Sequence, residues 1–119
     1  MESPKKISKN ESEVNNIVPE DKPAMFPGGP RAFGAFLQRN LRYPSAAWRF
    51  DKGGKVIVEF VINSDGSASD YKIINSVGYG CDEEALRVIK SVFRWEPKVV
   101  NGEKVSSVFA QGITFVVSE

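Results

Sequence analysis

The sequence predicts an α+β fold: a three-stranded antiparallel sheet in the order 2-1-3, with two helices on one face. Three observations carry this expectation. First, the stretch Gly54 to Ile62 interleaves an apolar row, Val56, Val58, Phe60 and Ile62, with a second row, Ile57, Glu59 and Val61. Alternate residues of a strand point to opposite faces, so the first row is a core face. The second row is apolar except at Glu59, which sets this strand inside the sheet and not at its edge. Second, Asn63-Ser64-Asp65-Gly66 reverses the chain, with Gly66 free to take the positive φ such a turn needs. Third, apolar residues recur at helical spacing on both sides of this hairpin.

The remaining elements follow in order. Residues 1–24 are rich in Lys, Glu, Asn and Ser, and their few aliphatic residues make no face; they read as a flexible leader or linker, serving as a tether or as a plain disordered tail. The folded domain is expected over residues 25–119. Gly28-Gly29-Pro30 starts the first helix, with Gly29 as N-cap and Pro30 at the first helical position. Phe33, Phe36, Leu37 and Leu41 are its buried stripe, and Tyr43-Pro44 stops it, because proline disfavours helical geometry in the residue before it. Ser45 to Arg49 is a short turn. A second strand runs from about Ala68 to Asn75, where Asp70 and Lys72 suit a position near an edge. Asp82 is a good N-cap for the second helix, and Glu83 and Glu84 complement its dipole. Ala85, Leu86, Ile89, Val92 and Phe93 form its stripe, with Arg87, Lys90 and Arg94 facing water. Trp95-Glu96-Pro97 ends it. After an Asn101-Gly102 turn, Val105 to Val117 reads as a last strand, with Phe109, Ile113, Phe115 and Val117 on one face and a bulge at Gln111-Gly112.

A right-handed crossover through the second helix returns the last strand parallel to the second. It then lies antiparallel to the opening strand on the side away from the second, with an exposed edge. An exposed edge can add a strand from a partner, whose backbone bonds the unpaired N–H and C=O groups. Spacing alone therefore describes a peptide-binding or dimer-forming domain.

Composition narrows the function. The 119 residues suffice for one core, and 41% hydrophobic and 26% charged content are ordinary for a globular chain. Sixteen basic residues against fifteen acidic ones leave a net charge of +1, a poor basis for binding nucleic acid. With no histidine and one cysteine, a Ser-His-Asp triad is excluded, an internal disulfide is impossible and a structural zinc site lacks ligands. No run approaches the ~18 apolar residues of a membrane-spanning helix. Asp82, Glu83 and Glu84 could be imagined as acid–base carboxylates, but capping accounts for all three. Cys81 has no neighbouring group to activate it. Trp48 and Trp95 read as plugs at the ends of the core. No catalytic constellation, cofactor or metal site is expected.

An ordered set of motifs resembles a known family. Tyr43-Pro44, Ala46 or Ala47, Gly54 to Ile62, Asp65-Gly66, Ile74-Asn75-Ser76, Asp82 to Arg87, Trp95-Glu96-Pro97, Asn101-Gly102 and Ile113-Thr114-Phe115 are similar, in succession, to the C-terminal domain of TonB, the energy-transducing periplasmic protein of Gram-negative bacteria. Phe26-Pro27-Gly28-Gly29 resembles the Bacteroidetes-type version. Two positions depart from the pattern: Gly112 stands where a proline often precedes the final Ile-x-Phe, and Phe93 or Arg94 where a proline usually precedes the tryptophan.

The resemblance implies a non-enzymatic domain in the periplasm that grips the TonB box of outer-membrane transporters by strand addition and transmits force for uptake. The receiving strand would comprise Val105, Ser106, Ser107, Val108, Phe109, Ala110, Gln111, Gly112, Ile113, Thr114 and Phe115. Arg42, Tyr43 and Pro44 match the motif that in the family lies near the receptor contact; they also read as a helix stop with the tyrosine packed on the core. The resemblance implies an inner-membrane ExbB/ExbD-type motor reached through a segment absent from this chain, and strand exchange into a homodimer. The same domain also ends membrane sensor-peptidases and other envelope proteins, so a periplasmic sensing domain that binds protein or glycan is the second expectation.

Overall fold

The computed structural model describes residues 21–116; residues 1–20 of the expected leader, and Val117 on the expected inner face of the last strand, lie outside the described residues. The chain forms α1 (Gly29–Asn40), α2 (Ser45–Arg49), β1 (Gly54–Ile62), β2 (Ala68–Asn75), α3 (Cys81–Lys90), β3 (Lys98–Val100), β4 (Glu103–Val105) and β5 (Ser107–Phe115). β2, β1 and β5 make one antiparallel sheet in that order, and β3 and β4 make a separate hairpin. The expected 2-1-3 topology is therefore present, with the last strand of the sheet being the fifth of the chain.

β1 is the centre. Val56, Val58, Phe60 and Ile62 are fully buried, each contributing on the order of 2 kcal/mol of burial free energy. Phe33 from α1, and Ala85 and Ile89 from α3, complete the same core, so both long helices cover one face of the sheet. The opposite row, Ile57, Glu59 and Val61, is only half-buried, because among the described residues no layer covers that face. The hairpin after β1 forms as expected. Gly66 takes φ 90, and an added Cβ there would lie 2.7 Å from the Trp95 carbonyl oxygen.

Several local expectations are corrected. α1 begins one residue early: Gly28 is the N-cap, and Pro30 sits at the second helical position, where the missing N–H again costs nothing. Ser45 to Arg49 is a five-residue helix, not a turn. Asp82 does not cap α3; Gly80 does. The Asp82 carboxylate instead accepts the N–H groups of Val77 at 2.9 Å and Gly78 at 3.1 Å and the Ser76 hydroxyl, closing the loop ahead of the helix. α3 stops at Lys90, so Phe93 falls off the helical stripe and is 92% exposed, while Val88 is buried. Trp95 fulfils its expectation at 2% exposure, ringed by Phe26, Phe33, Phe60 and Phe109 at centroid distances of 5.0–6.0 Å. Trp48 does not: it is 57% exposed.

Before α1, Lys22 pairs with Val99 and Met25 with Glu96, and Ala24 is buried. This segment docks the β3–β4 hairpin to the body. Asn101 and Gly102, at φ 53 and 80, supply the two left-handed residues of that hairpin's turn.

Candidate functional site

β5 is a nine-residue strand which, among the described residues, is paired on one side only. Its register with β1 runs without interruption from Gly54 opposite Phe115 to Ile62 opposite Ser107, so the bulge expected at Gln111-Gly112 is absent. A Cβ added at Gly112 would lie 3.3 Å from the Lys55 side chain, a tight approach to a flexible neighbour. Of the sequence-predicted receiving residues, Ser107 to Phe115 form this strand. Val105 belongs to β4, opposite Lys98, and Ser106 lies between the two, its hydroxyl accepting the Ser64 N–H at 3.2 Å.

The side chains alternate. Ile113 and Phe115 are buried and Phe109 and Gln111 half-buried on the core side, while Val108, Ala110 and Thr114 are exposed on the other. The backbone groups alternate as well, and two side-chain bonds reveal their phase. On the β2 side of β1, Asn75 Nδ2 donates to the Lys55 carbonyl at 2.6 Å, so Lys55 directs its backbone away from β5. Lys55 faces Thr114, hence Thr114, Gly112, Ala110 and Val108 turn their own N–H and C=O groups to the open edge. In agreement, Gln111 Nε2 donates to the Gly112 carbonyl at 2.9 Å, closing one acceptor of that edge with the strand's own side chain.

The second predicted part of the site converges on the end of this strand. The Tyr43 ring stands edge-on to Phe115 at 5.8 Å and to Trp48 at 6.2 Å, and its hydroxyl donates to the Lys52 carbonyl. Burial, with the negative charge of Asp51 adding to it, pushes the phenol up, which keeps it a neutral donor. Gly53 passes so close that a Cβ would lie 2.5 Å from the Phe115 carbonyl oxygen. Behind the motif, the Arg42 N–H donates to Glu84 at 2.7 Å, and Arg87 grips the same carboxylate at 2.7 and 2.8 Å while donating to the Asn40 carbonyl. Burial would raise the Glu84 carboxyl, but these donors and the two arginine charges hold it below the usual range. The end of α1 is thereby clamped to α3. Arg42, Tyr43 and Pro44 border a shallow cleft of about 380 Å³ with Glu83, Glu84 and Arg87.

The remaining chemistry is structural. Cys81 is fully buried, and burial followed by the charges of Asp82 and Glu83 pushes its thiol up, the reverse of an activated nucleophile. Asp82 and Glu84 serve the loop and the clamp just described. Among the described residues no group of histidine, cysteine and carboxylate side chains could hold a metal ion.

Two features were not read from the sequence. One is a groove of about 160 Å³ under β5, lined by Met25, Phe26, Pro30, Phe33, Phe109 and Gln111; Phe33 and Phe109 carried only a core signal. The other is an exposed aromatic group, Trp48, Phe50 and Tyr79, the last two 6.0 Å apart with Lys52 over the Tyr79 ring.

The family model described as Gram-negative bacterial TonB protein C-terminal matches residues 39–117. Two solution structures of the TonB C-terminal domain of Helicobacter pylori are similar to this chain. One is 26% identical with a TM-score of 0.57, covering 75% of this chain and 94% of that one. The other, a longer form, is 27% identical with a TM-score of 0.56, covering 78% and 88%. No match was found among curated proteins. With the family's sequence pattern running from the end of α1 through the Tyr43 motif, α3 and the sheet, the chain belongs to the family of TonB C-terminal domains, a binding module and not an enzyme.

Proposed function

We propose that this domain works in the periplasm as the receptor-gripping end of a TonB-type energy transducer. It binds the TonB box of outer-membrane transporters as an added strand along β5, antiparallel or parallel to it, and passes on the pull of an inner-membrane ExbB/ExbD-type motor. The observation that carries this reading is the open, uninterrupted edge of β5, with the backbone groups of Val108, Ala110, Gly112 and Thr114 turned outward. Strand addition draws its affinity from such groups and its specificity from alternate side chains. The contact of Tyr43 with Phe115 supports a role for Arg42, Tyr43 and Pro44 at the end of the same edge.

Adding a TonB-box peptide to the isotope-labelled chain tests the reading. The amide shifts are expected to cluster on Val105 to Phe115, with smaller changes at Arg42 and Tyr43. Shifts confined to another surface, or none at millimolar peptide, overturn it.

A further inference from the structure

The groove under β5 has a position that the edge alone does not explain. Its β5 lining is Phe109 and Gln111, and the partners of these residues on β1, Phe60 and Val58, take no part in it. The groove therefore lies on the side of β5 away from β1, beneath the open edge. Its other wall is Met25 and Phe26, ahead of α1, with Pro30 and Phe33 from α1 itself. The wall is firm: Phe26 packs edge-on against Phe33 at 5.2 Å and against Trp95 at 5.8 Å, and Met25 is hydrogen-bonded to Glu96 through both its backbone groups. Gln111 is the only polar side chain in the lining, and its amide already has a partner in the Gly112 carbonyl.

The strand phase fixes what would reach this space. Val108, Ala110, Gly112 and Thr114 face outward with their backbone groups, so an added strand exchanges hydrogen bonds with them. In an antiparallel addition the residues opposite Phe109 and Gln111 then form the closer, non-hydrogen-bonded pairs, with side chains on the core side and Cβ atoms about 5 Å from those of their partners. A strand at this edge therefore turns two side chains to the core side, and the groove has room for one of them. Its volume of about 160 Å³ is close to the roughly 150 Å³ at which an apolar cavity accommodates a benzene-sized group.

We propose that this groove is a specificity subsite: it takes one apolar side chain, of leucine to phenylalanine size, from the strand added to β5. The subsite rests on the strand-addition reading above. Without an inward apolar residue the added strand keeps its backbone bonds but leaves the groove unfilled, and burying such a side chain is worth about tenfold or more in affinity.

The experiment uses the same labelled chain and three peptides: a TonB-box peptide, a relative with serine at one central apolar position, and a relative with serine at the adjacent position. Strand alternation sends one of these positions into the groove and the other to the outer face. The expected result is a loss of about tenfold or more from one serine and little change from its neighbour. The parent peptide should also shift the ring signals of Phe26 and Phe33, and the weakened one should not. Equal affinities for both relatives, or Phe26 and Phe33 rings unmoved while the β5 amides shift, overturn the subsite and leave strand addition standing. A β5 that responds to none of the peptides overturns both. Shifts of Phe26 and Phe33 that follow protein concentration without peptide assign the groove to a second copy of the chain and overturn the proposal.

Discussion

The two edges of the sheet are built differently, and the difference teaches which one is suited to a partner. β2 and β5 flank the same central strand, yet β2 meets β1 through register shifts between Ile57 and Val58 and between Glu59 and Val61. Asp70 takes a left-handed φ of 58 within it, and Lys72 adds a charge. Irregularity, twist and charge are the devices by which sheet edges discourage pairing with other chains. β5 has none of them over its nine residues: its register is continuous, and among Ser107 to Phe115 there is no charged side chain. Its single restraint is the reversible bond from Gln111 to the Gly112 carbonyl. One edge is closed by backbone conformation and charge, the other only by a side-chain hydrogen bond.

The largest expected effect removes what the two edges share. Phe60→Ala takes a fully buried ring from beside Trp95, Tyr71 and Phe109 and should cost about 3–5 kcal/mol. Chemical denaturation should show β2 and β5 losing protection together; a loss confined to one edge would mean that they do not depend on one core. The next effect separates the edges. Ala110→Pro deletes an N–H that points to open solvent, a position where an edge strand tolerates proline, and places the ring in the path of an added strand. Peptide affinity should fall about tenfold or more, since at least one backbone bond and its neighbours are lost, with the fold retained by circular dichroism. Lys72→Ala on β2 should leave affinity unchanged; if it weakens binding as much, the assignment of the edges is wrong.

Asp70→Val tests the closed edge. A β-branched residue is poorly accommodated at positive φ, so the change should cost about 1–2 kcal/mol, or flatten β2 and produce dimers detectable by sedimentation. The smallest effect concerns the Tyr43 end of β5. The Glu84 carboxyl is held below its ordinary range in the folded chain, so its contribution is present above the unfolded value of about 4.3 and is lost as pH falls below it. Glu84→Gln should lower stability at neutral pH by roughly 0.5 kcal/mol, in keeping with a partner, Arg87, that is 44% exposed. It should also flatten the fall in melting temperature below about pH 4.3 that this group produces. An unchanged acid limb would show that Glu84 does not tie the motif to α3.

Much of the frame was legible because local pattern and global packing agree. The two rows of β1, the Gly66 turn and the span of β2 follow from alternation and turn chemistry, and the edge position of the last strand follows from crossover handedness. Errors gathered where a residue had two physically sound uses. Asp82 is as good a cap for a loop as for a helix, and only the Gly80 φ of 88 decides between them. Phe93 continues a helical stripe on paper, but α3 ends three residues before it. Val99 to Val105 carried an Asn-Gly turn signal, yet nothing local told that its two arms form a hairpin of their own, bridged to Lys22. Of the candidate site, the strand and the Arg42-Tyr43-Pro44 motif were found separately. Their meeting at Phe115 was not.

The sequence by itself determined the central strand, the order of the sheet and, through an ordered set of motifs, the family. These are properties of periodicity and residue type, which act over a few neighbours. The tertiary structure decided the phase of the open edge, the latch at Gln111, the groove between β5 and the start of α1, and the clamp that carries Tyr43 to Phe115. Each depends on the direction of particular N–H, C=O and side-chain groups across residues far apart in the chain, and such directions are fixed only when the core has packed.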